Sequence, residues 1–388
     1  MGQRALAAAA DVSSVDAASI ARMRSSFPAD LVSAALTLSH FRLRARERFS
    51  RPHGMYFDSS DLLEQATSEP LARHKAARFA GLQTVADLCC GAGGDTLGIA
   101  GQASRVIAVD LSLGGLLCLR ANAQNQGLAD RVLAVAADIG HWVPPADAYH
   151  IDPPRRDAGR RFNANESAKW VDMVRDLTER YRDVAGKLGP AIAPDTLAWA
   201  DEVEFISENG TLKQAVSWAG RLARSRRTAT VIRSALGRTQ ALETITSDQP
   251  ARVPKAAGQL HPGAMLYEPD PAVVRAGLLG NLAERIGAGL VDPHLPLLVS
   301  AEAAEPTLLA RRYQVLERAD WSIKRVRRLV RQRSWQVAEV KTRAFACRPE
   351  QILAGLKGLK VPPDAPPVVL WAVRLGQKPM AVLARRLA

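Results

Sequence analysis

The chain has 388 residues, of which 47% are hydrophobic and 23% are charged, and its formal net charge is +13. This composition excludes an intrinsically disordered chain and fits roughly two or three globular domains. No apolar run reaches the roughly 18 residues of a membrane-spanning helix, so we expect no membrane span. The positive charge agrees with a polyanionic partner or with basic side chains spread over solvated faces.

Apolar residues at three- and four-residue spacing predict a helical N-terminal region over residues 1–75. From residue 85 onward, strands and helices alternate, and four strands are predicted in "TVADLCC", "RVIAVDLS", "DRVLAVAADI" and "DAYHIDPP". A long amphipathic helix is predicted in "NESAKWVDMVRDLTERYRDVAGKLG", and later strands in "EVEFISENG", "TATVIRS" and "ALETITS". Alternating βα units predict a parallel sheet wrapped by helices, here over residues 76–262.

The pattern changes after about residue 260 and predicts a smaller α+β domain over residues 263–388. Its predicted strands include "LPLLVSA", "SWQVAEVKT", "VVLWAVRL" and "PMAVLARRL", and its helices include "DWSIKRVRRLVRQR" and "PEQILAGLKGLK". The chain is therefore predicted to have three regions, with bounds 1–75, 76–262 and 263–388.

A glycine-rich loop, "CCGAGGD", follows the first predicted strand. Gly91, Gly93 and Gly94 allow a tight turn and a close approach of the backbone to a ligand. A dinucleotide fingerprint would have a third spaced glycine at position 96, where this chain has Thr96. The loop therefore favours a nucleoside ligand without a pyrophosphate.

Acidic residues mark the ends of the neighbouring strands. Asp110 closes the second strand, where a carboxylate can accept both ribose hydroxyls of a nucleoside. Asp138 closes the third strand, where it can accept from an adenine amino group. Asp87 lies within the first strand, and together these carboxylates favour a cationic ligand such as a sulfonium. Each acid taken alone fits a helix cap equally well.

These motifs, "VADLCCGAGGDT", "VIAVDLS" and "AADI", resemble those of class I S-adenosylmethionine-dependent methyltransferases. The resemblance implies a Rossmann-like seven-stranded sheet and S-adenosyl-L-methionine as cofactor. It places the cofactor on Asp87, on the loop residues Gly91, Ala92, Gly93 and Gly94, and on Asp110, Leu111, Asp138 and Ile139. Residues 67–138 also resemble the trimethylguanosine-synthase branch of RNA methyltransferases. The whole layout resembles bacterial methyltransferases with a C-terminal THUMP-like, ferredoxin-like domain.

The fourth predicted strand ends in "HIDPPRRDAGRR", the predicted reaction site. It resembles the Asp-Pro-Pro-aromatic motif of amino methyltransferases, which implies that Asp152, Pro153 and Pro154 orient a nitrogen nucleophile. Arg155 stands where those enzymes place an aromatic residue, and a guanidinium can either stack on a base or hold a phosphate. Arg155 and Arg156, with Arg160 and Arg161, favour an anionic substrate or form a solvated loop. The candidate stacking residues are Tyr56, Phe162 and Trp170, each of which fits core or surface packing better.

Four cysteines occur, at positions 89, 90, 118 and 347, and no Cys-x-x-Cys spacing suggests zinc. Such sparse cysteines fit a reducing, cytoplasmic location. The letters "DPPR" also occur in RNA uridine-C5 methyltransferases, which need a cysteine nucleophile after the next strand. That region reads "GPAIAPDT" here, so carbon methylation through a covalent adduct is disfavoured.

The segment from Arg311 to Arg343 is strongly basic. In "KRVRRLVRQR", helical spacing predicts that Lys324, Arg327 and Arg331 share one face. Such a face suits RNA phosphates, a solvated surface or a membrane surface, and the THUMP resemblance favours RNA. The sequence therefore predicts a cytoplasmic methyltransferase for an RNA base nitrogen. The alternatives are a methyltransferase for a protein or small molecule, and a catalytically silent RNA-binding protein; the oligomeric state is open.

Overall fold

The computed structural model describes residues 1–10, 12, 16–153, 156–157, 160–161, 164–249, 260–359 and 362–387, with backbone only at 156–157, 160–161 and 164–167. The chain divides into two compact units, Met1–Arg224 with Ile232–Leu242, and Ser225–Val231 with Glu243–Ala388. Within the described ranges, no helix has both the length and the hydropathy that crossing a membrane requires.

The first unit begins with helices, as the spacing of apolar residues predicts. They are α1 (Gly2–Ala10), α2 (Ala17–Arg24), α3 (Ala29–Ala45), α4 (Ser60–Gln65) and α5 (Glu69–Ala76). Asp16 accepts a hydrogen bond from the amide of Ser19 and so caps the start of α2. Helix α5 packs on the sheet that follows, where Leu71, Ala76 and Phe79 join its hydrophobic core.

Strands and helices then alternate, and they form a nine-stranded sheet. Its strands are β1 (Thr84–Leu88), β2 (Arg105–Asp110), β3 (Val132–Ala136), β4 (Ala148–Ile151), β7 (Val184–Leu188), β8 (Glu202–Glu208), β9 (Thr211–Trp218), β10 (Arg227–Ala235) and β11 (Arg238–Ser247). The sheet order is β11-β10-β8-β9-β7-β4-β1-β2-β3. The helices between them are α6 (Gly94–Ala100), α7 (Leu113–Asn125) and α8 (Ala164–Tyr181), and a separate two-stranded pair is β5 (Arg156–Asp157) with β6 (Arg160–Arg161).

The order of the strands reverses at β1, which lies between β2 and β4 and runs parallel to both. In such sheets a ligand binds beyond the carboxyl ends of the strands at this switch point. The α/β class predicted from the sequence is confirmed. The sheet has nine strands where seven were predicted, because β7 and β9 add to the strands predicted from the sequence.

One predicted element is wrong in part. The long helix predicted to run to about residue 189 ends at Tyr181. Arg182 then takes a left-handed conformation (φ 66°), and residues Val184–Leu188 form the buried strand β7. Strand β7 pairs in parallel with β4, so it lies beside the predicted reaction site.

The second unit contains a seven-stranded sheet, in the order β13-β14-β12-β15-β18-β17-β16. Its strands are β12 (Met265–Pro269), β13 (Gly289–Asp292), β14 (Leu295–Ser300), β15 (Ala310–Asp320), β16 (Gln336–Arg343), β17 (Pro367–Leu375) and β18 (Lys378–Arg386). Its helices are α9 (Pro271–Arg275), α10 (Leu279–Arg285), α11 (Ile323–Gln332) and α12 (Pro349–Leu356). Val326 of α11 and Ile352 of α12 pack with Leu370 on one face of this sheet. The α+β character is as predicted, and the sequence analysis missed β13 and β15.

Candidate active site at the carboxyl ends of the strands

The glycine loop is a sharp bend between β1 and α6. Cys89, directly after β1, has φ 61°, and Gly91 and Gly93 have φ 52° and 89°. A Cβ on Gly93 would lie 2.3 Å from Leu119 Cδ1, so a side chain there would displace Leu119 and strain the backbone. A non-glycine residue in the left-handed region costs about 1 kcal/mol or more, so the turn at Cys89 is strained.

A segment of the N-terminal region lies against this loop. A Cβ on Gly94 would be 2.7 Å from the backbone nitrogen of Thr67, and one on Gly91 would be 3.3 Å from Leu62 Cδ1. Asn122 of α7 donates to the carbonyl of Ala92 (2.9 Å) and accepts from the amide of Tyr56 (2.7 Å). Residues 56–67 therefore form one wall of the loop, a feature that the sequence did not indicate.

Asp110 lies beside the loop at the end of β2 and is half-buried. Its Oδ2 accepts from the amide of Gly91 and its Oδ1 from the amide of Ser112, both at 2.8 Å. Each carboxylate oxygen has two lone pairs, so both can still accept from a ligand hydroxyl. Leu111, next in the chain, is 71% exposed and offers an apolar surface at the same edge.

Asp138 lies at the end of β3 and is exposed. Its Oδ1 accepts from the amide of Gly140 (2.8 Å), and its Oδ2 lies 3.1 Å from His141 Nδ1. The Gly140 hydrogen bond, helped by His141, lowers the pKa of the Asp138 carboxyl. Asp138 is therefore an accessible anion, with Ile139 half-buried beside it.

Asp87 has a different environment from the other predicted cofactor residues. It is 1% exposed, and its Oδ2 accepts from the hydroxyl of Thr96. Its Oδ1 lies 2.7 Å from His150 Nδ1. Both oxygens are engaged inside the protein, so Asp87 joins β1 to α6 and β4, and the structure shows it facing no open surface.

Asp152 follows β4 at the carboxyl edge of the sheet. Its amide donates to the carbonyl of Leu88 (3.1 Å), which places it next to the start of the glycine loop. Its carboxylate, 24% exposed, accepts a hydrogen bond from Lys187 Nζ. Pro153 is buried. Other predicted residues of this segment, Pro154, Arg155 and Phe162, lie outside the described residues, and the side chain of Arg156 is likewise not described.

A buried charged cluster lies beneath the site, and the sequence analysis missed most of it. Lys187 Nζ donates to Thr67 Oγ1 (2.7 Å) and lies 3.7 Å from Asp95 Oδ2. Asp95 also accepts from Thr67 Oγ1 (2.6 Å) and pairs with Lys75 Nζ at 2.6 Å. Burial alone would raise the pKa of Asp95, but the charges of Lys75, His150 and Lys187 more than offset it and lower that pKa.

Among the candidate stacking and nucleophilic residues, Tyr56, Trp170 and the cysteines are described by the structure. Tyr56 is half-buried under the guanidinium of Arg42, 4.9 Å from its ring centroid, and Trp170 is half-buried in α8. Burial, followed by nearby carboxylates, raises the pKa of Cys89 and Cys90, so neither thiol is an activated nucleophile. Cys347 is exposed in the second unit.

Of the three basic residues predicted on one face of helix α11, two are exposed and Arg327 is not. Lys324 and Arg331 are exposed, as is Arg328. Arg327 instead donates to the carbonyls of Gly355 (2.8 Å) and Lys357 (3.0 Å) and so caps the end of α12. Within the described part of the chain, no ion pair engages Lys324, Arg328 or Arg331.

The residues at the carboxyl edge fit the predicted cofactor, S-adenosyl-L-methionine. The bend has no side chain at Gly91 and Gly93, and Asp110 keeps acceptor capacity for a ribose diol. The site also contains the partly exposed carboxylates of Asp138 and Asp152, which favour a cationic sulfur by charge. Asp110 and the loop are therefore available to hold the nucleoside, with Leu111, Asp138 and Ile139 at the same edge of the sheet.

Comparison with known proteins gives independent information. An uncharacterized S-adenosylmethionine-dependent methyltransferase, found in two strains of Mycobacterium tuberculosis, is 31% identical over 338 residues, covering 85% of this chain and 84% of the relative. The crystal structure of a candidate methyltransferase from Porphyromonas gingivalis W83 is 18% identical. It superimposes with a TM-score of 0.75 over 100% of this chain and 99% of that chain, which supports the fold.

Three family profiles match parts of the chain. Residues 82–175 match the family described as RNA cap guanine-N2 methyltransferase. Residues 310–386 match the family described as THUMP domain-like, and residues 1–45 match a domain of unknown function. The first match contains the glycine loop, Asp110, Asp138 and Asp152, and the second contains α11.

Proposed function

Because the chain belongs to the S-adenosylmethionine-dependent methyltransferases, we propose that it transfers the methyl group to a nitrogen of an RNA base. The observation that carries this proposal is the position of Asp152. Its carboxylate lies at the carboxyl end of β4, next to the glycine loop, partly exposed and held by Lys187. A carboxylate there can accept a hydrogen bond from an attacking amine and so fix its lone pair in line with the methyl group.

Methyl transfer to an amine nitrogen requires that the nitrogen and the methyl group be aligned, more than that a base remove a proton beforehand. The bound cofactor supplies a methyl group whose bond to sulfur breaks, with the electron pair left on sulfur, as the nitrogen lone pair forms the new bond. In the proposed arrangement, Asp152 accepts from one hydrogen of the amine and the carbonyl of Pro153 accepts from the other. The surplus proton leaves the methylated nitrogen for water. A planar exocyclic amine of a base has the two hydrogens that this arrangement needs.

Two features support RNA as the acceptor. The segment that contains Asp152 falls within the match to RNA cap guanine-N2 methyltransferases. The second unit matches a THUMP domain-like family, and its helix α11 exposes Lys324, Arg328 and Arg331. Basic side chains on one exposed face are suited to binding phosphates. A cytoplasmic location fits this proposal, since the four cysteines are free thiols.

The test is methyl transfer from radiolabelled S-adenosylmethionine into a total extract of cells that lack the gene. We expect the transferred label to be sensitive to ribonuclease, and mass spectrometry of the nucleosides to show one base methylated on nitrogen. Asp152→Ala should abolish most of the transfer while the affinity for the cofactor stays near that of the wild type. Label that resists ribonuclease would instead identify a protein or small-molecule acceptor and overturn the proposal.

A further inference from the structure

We propose that Lys187 is a positioning residue for methyl transfer, which holds one carboxylate oxygen of Asp152 and leaves the other to accept from the nitrogen nucleophile. This inference rests on the proposed role of Asp152. The Lys187 side chain is 6% exposed and bound to Asp152, so the proposed role is exerted through Asp152. Lys187 lies in no motif of the sequence that indicated a functional role.

The sheet places the two side chains together. Strands β4 and β7 are parallel neighbours, with Ile151 opposite Gly186. The next residues in each strand direction are Asp152 and Lys187. The ammonium of Lys187 donates to Asp152 Oδ2, and among the described residues it is the side chain that binds this carboxylate. The contact is therefore fixed by strand register and does not depend on a mobile loop.

The ammonium of Lys187 is also held by Thr67 and Asp95, residues that lie outside β4. It donates to Thr67 Oγ1 at 2.7 Å, lies 3.7 Å from Asp95 Oδ2, and its side chain is 6% exposed. Thr67 in turn donates to Asp95 at 2.6 Å. Because a lysine ammonium has three donor hydrogens, these contacts leave it little freedom to turn away from Asp152. A carboxylate fixed in this way loses little conformational entropy when a substrate arrives.

A purely structural role is the competing explanation, because buried ion pairs also hold folds together. The same unit provides a matched control in Arg78, whose side chain is also 6% exposed. Arg78 pairs with Glu202 through both terminal nitrogens, at 2.5 and 2.8 Å, and stacks over Trp218. Losing Arg78 removes a buried ion pair of similar burial that has no contact with Asp152.

The experiment compares Lys187→Met with Arg78→Met in the full-length protein, using the acceptor fraction of the extract that wild-type protein labels. We expect Lys187→Met to lower kcat on the order of 100-fold, since misplacing a reacting group by about 1 Å has such an effect. The affinity for S-adenosylmethionine, measured by calorimetry, should stay within about twofold in both variants. Arg78→Met should lower the unfolding temperature with kcat near the wild-type value.

A double-mutant cycle with Asp152→Asn isolates the positioning role. If Lys187 acts through Asp152, adding Lys187→Met to Asp152→Asn should lower kcat little further. If Lys187→Met folds poorly, Lys187→Gln keeps a hydrogen-bond donor at this position and should retain more activity than the Met variant. Equal losses of kcat in both backgrounds, or a wild-type kcat in Lys187→Met, would overturn the inference.

Failure of this inference is separate from failure of the proposed function. Ribonuclease-resistant label overturns RNA as the acceptor, yet the cycle can still be measured on that label. Ribonuclease-sensitive label with an unaffected Lys187→Met overturns the positioning role alone.

Discussion

The amide of Gly91 donates a 2.8 Å hydrogen bond to the carboxylate of Asp110. This contact joins the glycine loop to the end of the neighbouring strand, 19 residues further along the chain. The other carboxylate oxygen accepts from Ser112, at the start of α7. Asp110 thus shapes the loop, and in the proposed function it also accepts from the nucleoside, so its removal should weaken cofactor binding in both ways.

The first prediction concerns Asp110→Ala. We expect the affinity for S-adenosylmethionine to fall by about 1–3 kcal/mol, because the ribose hydroxyls and the amide of Gly91 lose their acceptor. Isothermal titration calorimetry measures this directly. Asp130→Ala, an exposed carboxylate just before β3, is the control and should bind like the wild type. Equal affinities of Asp110→Ala and the wild type would contradict the assignment.

Much of this site follows from the sequence, because glycines and acids at strand ends have few other placements in a parallel sheet. The bend at Gly91 and Gly93 and the positions of Asp110, Asp138 and Asp152 were all predicted there. Asp87 was grouped with them, but the sequence could not show that Thr96 and His150 engage both its oxygens. The sequence does not locate the end of a strand to within one or two residues, so it could not separate a buried position inside β1 from an open position at its end.

Lys187 could not be found in this way, because the element that contains it was predicted wrongly. The letters of β7 continue the apolar spacing of α8, and periodicity alone does not separate a short buried strand from a helix. The helix ends just before Arg182, which has a positive φ. Arginine is not a residue type that indicates such a conformation in a sequence. Lys75 lies in α5 and Thr67 lies just before it. Both contact the buried cluster only because of tertiary packing, which the sequence does not show.

The second prediction concerns Asp95→Asn and acid stability. Asp95 is buried, and Lys75, His150 and Lys187 hold its pKa below the usual value. A carboxyl with a lowered folded-state pKa stabilises the fold above its unfolded pKa of about 3.9, and this stability is lost as the pH falls through the folded value. Asp95→Asn should therefore lower the free energy of unfolding by about 3–5 kcal/mol at pH 7.

Urea unfolding at a series of pH values checks this prediction. The difference between Asp95→Asn and wild type should be constant near neutrality and should shrink as the solution is acidified below about pH 4. The exposed variant Asp130→Asn controls for general charge effects and should follow the wild type. A difference that stays constant into strong acid would show that Asp95 is not the titrating group.

The third prediction concerns the cysteines. Burial raises the pKa of Cys89 and Cys90, and burial with Asp58 raises that of Cys118 to about 11. Since the thiolate is the reactive form, these thiols should resist alkylation in the folded protein at about pH 8. Exposed Cys347 should react with iodoacetamide. Peptide mass spectrometry should find label at Cys347 in folded protein and at all four positions in urea; rapid labelling of Cys89 would contradict the burial.

The fourth prediction concerns the exposed face of α11. If Lys324, Arg328 and Arg331 contact RNA phosphates, each change to Gln should reduce the slope of log Kd against log salt by about 0.7–0.9. The triple variant should lose about 2–3 units of slope in a fluorescence anisotropy titration with RNA. The unfolding temperature should change little, because these side chains are exposed.

Arg327 separates a charge effect from a structural one within the same helix. Its guanidinium donates to the carbonyls of Gly355 and Lys357, so it is occupied at the end of α12. Arg327→Gln removes the same charge as Arg328→Gln but also these hydrogen bonds, and we expect it to destabilise the second unit by about 1–2 kcal/mol. Its salt slope should remain near the wild-type value. If Arg327→Gln and Arg328→Gln reduced the slope equally, the RNA would be sensing the net charge of the helix and not one exposed face.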